Sequence, residues 1–192
     1  IEEMERNTYK TLHIAEQFLQ LSRANTPERL EFQDIDINSV VLNAIDQLWG
    51  LSQKSGVAIE HDFEQEELWT LAEPDLLQRA MVNLLSNALK HSARGQKVSV
   101  RVRHRDEQIE CCVIDNGSGI PADELPRLFE MFKRTRTSQL EHNKGTGLGL
   151  AFVDAVARRH SGYVKVSSKQ GEGSRFCLVI PRNDQPSSDP AD

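Results

Sequence analysis

Asp115-Asn116-Gly117-Ser118-Gly119-Ile120 and Gly145-Thr146-Gly147-Leu148-Gly149-Leu150 bracket the stretch on which the reading of this chain turns. Both are glycine turns, and the polar segment between them has neither strand alternation nor the period of a long helix. Glycine lets backbone N–H groups close on an oxyanion, because no Cβ stands in the way. The second turn runs into Leu150-Ala151-Phe152-Val153-Asp154-Ala155-Val156-Ala157, a helical run. A glycine turn that opens a helix is an anion site, with phosphate as its usual guest. The first turn follows the apolar run Cys111-Cys112-Val113-Ile114, which puts Asp115 at the end of a strand.

Working outward, Tyr163 to Ser168 and Arg175 to Ile180 read as two strands joined at Gly171-Glu172-Gly173. Upstream, Lys97 to Arg105 alternates Val98, Val100 and Val102 with polar residues and pairs as a hairpin with Gln108 to Ile114. Pro74 at a first helical turn, between Glu73 and Asp75, starts a helix whose buried face carries Leu76, Leu77, Ala80, Met81, Leu84, Leu85, Ala88 and Leu89. Val57 to Phe63 alternates as a strand, a short strand from Leu68 to Ala72 follows, and Asn38 is the expected N-cap of a helix that Gly56 stops. The sum is an α+β fold, a mixed sheet of about five strands with helices on one face.

Residues 1–25 stand apart. Ile1, Met4, Thr8, Leu12, Ala15, Leu19 and Ser22 recur at spacings of three and four, the seam of a coiled coil or bundle, and Asn25-Thr26-Pro27 ends it. Residues 26–35 read as a linker, 36–181 as the main domain, and 182–192, rich in Pro, Ser and Asp, as a disordered tail. The chain opens mid-helix without Met, as an excised fragment does, so any membrane anchor of a longer parent belongs upstream of Ile1.

A net charge of −6 disfavours nucleic-acid binding, which selects clustered positive charge, but leaves room for a local nucleotide site. No apolar run approaches the ~20 residues that span a bilayer, so no membrane contact is expected of this stretch. Cys111, Cys112 and Cys177 lie in apolar strand-like runs without metal-ligand spacing, and read as reduced, buried thiols in a cytoplasmic protein.

Four segments carry candidate chemistry. Asn83 and Asn87, four apart among leucines, share one helix face. They are either satisfied core amides or, with Lys90 and His91 just beyond, the wall of a polar site, where an amide oxygen suits Mg²⁺. Asp115 either caps its own turn or accepts a hydrogen bond from an exocyclic amine. Leu128-Phe129-Glu130-Met131-Phe132-Lys133-Arg134 reads as a short helix burying Leu128, Phe129 and Phe132. Gly145 to Gly149 lacks the Gly-Lys-Ser/Thr of a Walker loop.

In this order the segments resemble the catalytic ATP-binding domain of sensor histidine kinases, in the superfamily of gyrase, Hsp90 and MutL. Asn83 to Ser92 is similar to the N box and Asp115 to Ile120 to the first glycine box. Phe129 to Arg134 is similar to the F box, Gly145 to Leu150 to the second glycine box, and Gly171 to Phe176 to the last glycine motif, with Ser174 where Thr is common. The resemblance implies a two-layer α/β sandwich of the Bergerat type, with residues 1–25 as the second helix of a dimerisation and histidine-phosphotransfer bundle. It implies that Asn87 holds the Mg²⁺ of Mg-ATP with Asn83 alongside, that Lys90 reaches the phosphates, and that His91 packs on the adenine or ribose. Asp115 would take the adenine amino group, while Gly117, Gly119 and Ile120 shape the base pocket. Lys144, Gly145, Thr146, Gly147, Leu148 and Gly149 would cradle the triphosphate under a lid over residues 121–144, with Ser174 also at the nucleotide. Partners so implied are ATP, a second copy through the helical bundle, and the receiver domain of a response regulator.

A histidine kinase also needs an acceptor imidazole, normally followed by an acidic residue and then Pro. None of the six histidines has that setting; His13, on the first helix, lacks the Pro, and His61, His104, His142 and His160 read as surface residues. Three rivals share the fold. An ATPase of the gyrase type would carry a general-base Glu one turn before the metal Asn, where this chain has Asn83. A non-catalytic regulatory and dimerisation module fits poorly with intact glycines, and a serine kinase of the superfamily fits poorly with a bundle-like first helix.

Overall fold

The computed structural model of the chain describes residues 15, 19, 21–22, 31–133 and 146–182. Of the first helix only Ala15, Leu19, Leu21 and Ser22 are described; all four are helical, with Leu21 buried and Leu19 58% exposed. His13, His142, Arg134, Lys144, Gly145 and residues 183–192 lie outside the described residues.

The elements in chain order are strand β1 (Gln33–Asp36), helices α1 (Ile37–Gln47) and α2 (Trp49–Ser55), and strands β2 (Ala58–Phe63) and β3 (Trp69–Ala72). Helix α3 (Pro74–His91), strands β4 (Lys97–Arg105) and β5 (Gln108–Asp115), helix α4 (Gly149–Arg159), and strands β6 (Tyr163–Lys169) and β7 (Gly173–Pro181) complete the order, with a 3₁₀ turn at Leu125–Arg127. Five strands form one sheet in the order β2-β4-β5-β7-β6. β2 runs parallel to β4 and every other pair is antiparallel, so the sheet is mixed, as expected. The parallel pair exists because the chain crosses from β2 to β4 through β3 and α3.

The expected linker ends sooner than its composition suggests. Gln33 to Asp36 pair antiparallel with Ala72 to Trp69, so β1 and β3 make a small sheet of their own. The N-cap of α1 is Asp36, not Asn38. The Asp36 carboxylate accepts from the N–H groups of Asn38 (3.2 Å), Ser39 (3.1 Å) and Leu68 (3.0 Å), joining a helix start to a strand start. Asn38 is buried, and its amide donates instead to the carbonyls of Gln65 and Glu66, both at 3.0 Å. The expected single helix to Ser55 breaks at Leu48, and left-handed Gly56 ends the second piece.

α3 begins as its sequence demands. Pro74 occupies the first turn and the Glu73 carboxylate accepts from Leu76 N–H at 2.6 Å. Its apolar stripe meets Val98, Val100 and Val102 of β4, Ile109, Cys111 and Val113 of β5, and Phe176, Leu178 and Ile180 of β7 in one core. Ala151, Phe152, Val153 and Val156 of α4 close that core from the same side.

The opposite face of the sheet corrects the cysteine reading. Cys112 and Cys177 are direct cross-strand partners on β5 and β7, Cα atoms 4.0 Å apart, and they form a disulfide; Cys111, on the helix side, is free and buried. Neighbouring strands brought the pair together, which separation along the chain conceals. Arg182, assigned to the tail, is tied down by its N–H to Glu107 O (2.9 Å) and its guanidinium to His104 (2.7 Å). His160 is buried rather than a surface residue, because the end of α4 packs against the start of α3. Among the described residues, no helix is long and apolar enough to cross a membrane.

Candidate functional site

The core-facing residues of β5, β7 and β6 form rows across the sheet. Cys111, Leu178 and Val164 make one row and Val113, Phe176 and Val166 the next. At the following step every member turns polar: Asp115 is paired with Ser174, and Ser174 with Ser168. The alternation that builds the core thus delivers a carboxylate and two hydroxyls, side by side, to the end of the sheet where the glycine turns begin.

Asp115 is 6% exposed. Burial raises its pKa above the ordinary carboxylate value, and the N–H groups of Gly117 (2.9 Å to Oδ1) and Ser174, with nearby His91, pull the other way. The first turn is clamped from two sides. A Cβ on Gly117 would overlap the carbonyl oxygen of His91, at the end of α3, and one on Gly119 would overlap the carbonyl of Lys169. Gly119 also has φ +63°, a left-handed backbone that suits glycine. Gly171 N–H donates to Ser118 O at 2.7 Å, and Ile120 N–H to Ser168 Oγ at 2.8 Å, so the β6–β7 hairpin holds the turn in place.

Asn83 and Asn87 share a face of α3, but they are half-buried rather than set among the leucines. The leucines belong to the core against the sheet, while Asn83, a step round the helix, faces the start of α4. Asn83 Nδ2 donates to Arg79 O (3.1 Å), and its Oδ1 faces the second turn, 3.0 Å from where a Cβ on Gly149 would lie. Lys90 and His91 follow at the end of the helix, where desolvation lowers the pKa of Lys90.

Of the second turn, Thr146, Gly147, Leu148 and Gly149 are described. Thr146 Oγ1 accepts from Leu148 N–H (3.3 Å), Gly147 is left-handed (φ +74°), and Leu148 is buried as the N-cap of α4. Among the described residues no side chain caps that helix and no acidic residue occupies its first turn. Gly147 O accepts from Phe132 N–H at 2.9 Å. That contact corrects the aromatic segment: Leu128 is buried and Phe129 partly so, but Phe132 takes a left-handed backbone (φ +62°) and is 59% exposed. Turns and a 3₁₀ turn replace the short helix, since Pro126 and the bond to Gly147 bend the chain.

The sheet end, with Asp115, Ser174 and Ser168, thus meets the end of α3 where Gly117 lies against His91, and α3 meets the start of α4 where Asn83 lies against Gly149. Acceptor oxygens gather at the sheet end, and a helix N-terminus with its partial positive charge lies beside Asn83. Among the described residues no group of three His, Cys, Asp or Glu side chains could hold a metal ion. Amide oxygens are the donors on offer, and they suit a hard cation held mainly by phosphate and water oxygens. Sequence reasoning missed Ser168, although the alternation Val164, Val166, Ser168 marks it as the first polar residue on the core face of β6.

Residues 72–184 match the family model described as "Histidine kinase-, DNA gyrase B-, and HSP90-like ATPase". The chain is 37% identical over 166 residues to the sensor-like histidine kinase SenX3 of Mycobacterium tuberculosis (strain ATCC 25618 / H37Rv), covering 86% of this chain and 40% of that protein. It is 34% identical over 131 residues to the sensor histidine kinase CusS of Escherichia coli (strain K12), covering 68% and 27%. The chain therefore spans less than half the length of these curated relatives. The mycobacterial sensor histidine kinase MprB superposes with a TM-score of 0.68 at 27% identity, over 79% of this chain and 97% of that one. Full-length ShkA, solved in complex with AMPPNP, does so with a TM-score of 0.81 at 23% identity, over 95% and 38%.

Proposed function

Because this chain belongs to the histidine kinase-, DNA gyrase B- and HSP90-like ATPase family and carries the ATP-binding catalytic domain of a sensor histidine kinase, we propose that it binds Mg-ATP between α3, α4 and the sheet end and passes the γ-phosphoryl group to a histidine. The acceptor is assigned to a histidine outside these 192 residues, and the phosphoryl group then moves to an aspartate in a response-regulator receiver domain. The parent acts as a homodimer joined through the helical bundle, with this domain on the cytoplasmic side.

In this reading Asp115 accepts a hydrogen bond from the adenine amino group, with Ser174 beside it, and Gly117, Gly119 and Ile120 bound the base. His91 lies against the adenine or ribose and Lys90 reaches the phosphates. Thr146 to Gly149 bring backbone N–H groups and the positive end of α4 to the triphosphate, and Lys144 and Gly145, assigned to the same cradle, lie outside the described residues. Asn87, with Asn83 alongside, would hold the Mg²⁺, which supplies charge neutralisation between the phosphates. Phosphoryl transfer asks chiefly for positioning and charge stabilisation, and these residues provide both. The lid expected over residues 121–144 falls partly on residues 134–144, which lie outside the described residues.

The observation that carries this reading is the meeting of Asn83 with Gly149, which sets the amide face of α3 against the anion-seeking end of α4. No glutamate stands where a hydrolytic member of the superfamily needs its base, so transfer is favoured over hydrolysis. The test is titration with a non-hydrolysable ATP analogue, with and without Mg²⁺, on the chain and on Asn87→Ala. The expected result is Mg²⁺-dependent binding that Asn87→Ala abolishes with the fold retained. Unchanged Mg²⁺-dependent binding in the variant overturns the metal assignment.

A further inference from the structure

Ser168 sits at the outer end of the polar row, one strand beyond Ser174 and two beyond Asp115. Its hydroxyl makes three contacts: Ile120 N–H at 2.8 Å, Gly173 O at 2.8 Å and Ser174 Oγ at 2.9 Å. Counting protons assigns the direction of each. A carbonyl has no proton to give, so the single proton of Ser168 goes to Gly173 O. The Ile120 N–H can only donate. The third contact is then possible in one sense alone, with the Ser174 hydroxyl donating to Ser168. Ser168 is thereby fully satisfied, and the only proton of the Ser174 hydroxyl points away from Asp115 toward β6.

The consequence falls on Ser174. With its proton committed, that hydroxyl has only lone pairs left to present to the space beside Asp115. Asp115, directly paired with Ser174 on the same face, presents acceptors as well. Two adjacent acceptors match an exocyclic amine, which brings two protons, and mismatch an exocyclic oxygen, which brings none.

We propose that Ser168 is a positioning residue for base specificity: by taking the proton of Ser174 it makes the Asp115–Ser174 pair an all-acceptor site that selects a 6-amino over a 6-oxo purine. The assignment rests on the reading of this space as the adenine site. Ser168 touches no nucleotide; it acts through Ser174, and through Ile120 it also holds the first glycine turn.

The test compares affinities of the 192-residue chain for ATP and for inosine triphosphate, in which an oxo group replaces the 6-amino group and N1 changes from an acceptor to an N–H donor. The unmodified chain is expected to favour ATP. Ser168→Ala frees the Ser174 hydroxyl to donate to an oxo group, and the ATP preference is expected to fall about tenfold, the worth of one hydrogen bond changing sense. The isosteric pair Ser168→Thr and Ser168→Val keeps the comparison open should Ser168→Ala fail to fold: Thr retains the preference and Val loses it. In a Ser174→Ala background, Ser168→Ala is expected to change the preference no further. Equal weakening toward both nucleotides, with the preference intact in Ser168→Ala and Ser168→Val, overturns the assignment and leaves Ser168 a structural residue. Asp115→Asn separates the two levels. If it alters the preference while the Ser168 variants do not, this assignment alone fails; if it leaves the preference untouched, the adenine reading fails and this assignment with it.

Discussion

The amide oxygen of Asn83 faces Gly149, 3.0 Å from the point where a Cβ on that glycine would stand. The absence of a side chain at the first residue of α4 therefore sets the position of an amide on α3. Gly149→Ala is expected to hold or raise thermal stability, since alanine suits a helix by up to about 1 kcal/mol over glycine. It is expected to push the Asn83 amide out of place and weaken binding of an ATP analogue about tenfold. Thermal melts read beside titration check this, and undiminished affinity would show that Asn83 needs no such clearance.

Ionising the buried Asp115 carboxylate costs stability. Burial raises its pKa, so the protein binds that proton more tightly folded than unfolded. Its stabilising contribution is then full below the ordinary carboxylate pKa, about 4, and is lost as pH rises through the folded value. An amide in place of this carboxylate keeps an acceptor for Gly117 N–H without the buried charge. Asp115→Asn is expected to melt at or a few degrees above the unmodified chain near pH 7, to lose that advantage below about pH 4, and to bind ATP at least tenfold more weakly. Melts at the two pH values and one titration decide it.

His160 joins the two helices of the site. Its Nε2 accepts from Glu73 N–H at 3.0 Å and its Nδ1 donates to Val156 O at 2.8 Å, which requires the neutral ring. Burial, with some help from Arg159, lowers its pKa, although the Val156 carbonyl opposes this. A base with a depressed folded pKa contributes stability above its unfolded pKa, about 6.5, and loses it as pH falls through the folded value. The melting temperature of the chain is therefore expected to fall below about pH 6.5 more steeply than that of His160→Gln, measured side by side in one buffer series. Parallel curves would remove His160 from the acid response.

The Cys112–Cys177 disulfide closes a separation of 65 residues. A loop of that length restricts the unfolded chain by about 4 kcal/mol, so reduction or Cys177→Ala is expected to lower the melting temperature by about 10 °C. Cys111 is held buried with its pKa pushed up to about 12. Iodoacetamide near neutral pH is thus expected to label no cysteine in the folded, oxidised chain and all three after reduction in denaturant. Mass spectrometry counts them.

Where a segment's period was set by its own neighbours, the sequence was legible. Pro74 and Glu73 announced α3, alternating valines announced β4, and the glycine turns located the strand end at Asp115. Features created by pairing of distant segments were not. The bonds of Asn38 to Gln65 and Glu66 depend on the loop before β3, the bond of Cys112 depends on β7 lying beside β5, and the burial of His160 depends on α3. Phe132 reads as a buried aromatic until Gly147 claims its backbone. Ser168 was visible as a polar residue on an apolar face, but its three partners come from the first glycine turn and from the start of β7, so its place appears only once they are assembled.

Both glycine turns, α4 and β6 lie between Cys112 and Cys177 in the chain. They belong to a closed covalent ring, whereas α3 and its asparagines stand outside it. A protease that cuts once within the ring yields no separable fragment: the severed ends stay on a single molecule, with the two glycine turns still attached to each other, until a reductant opens it.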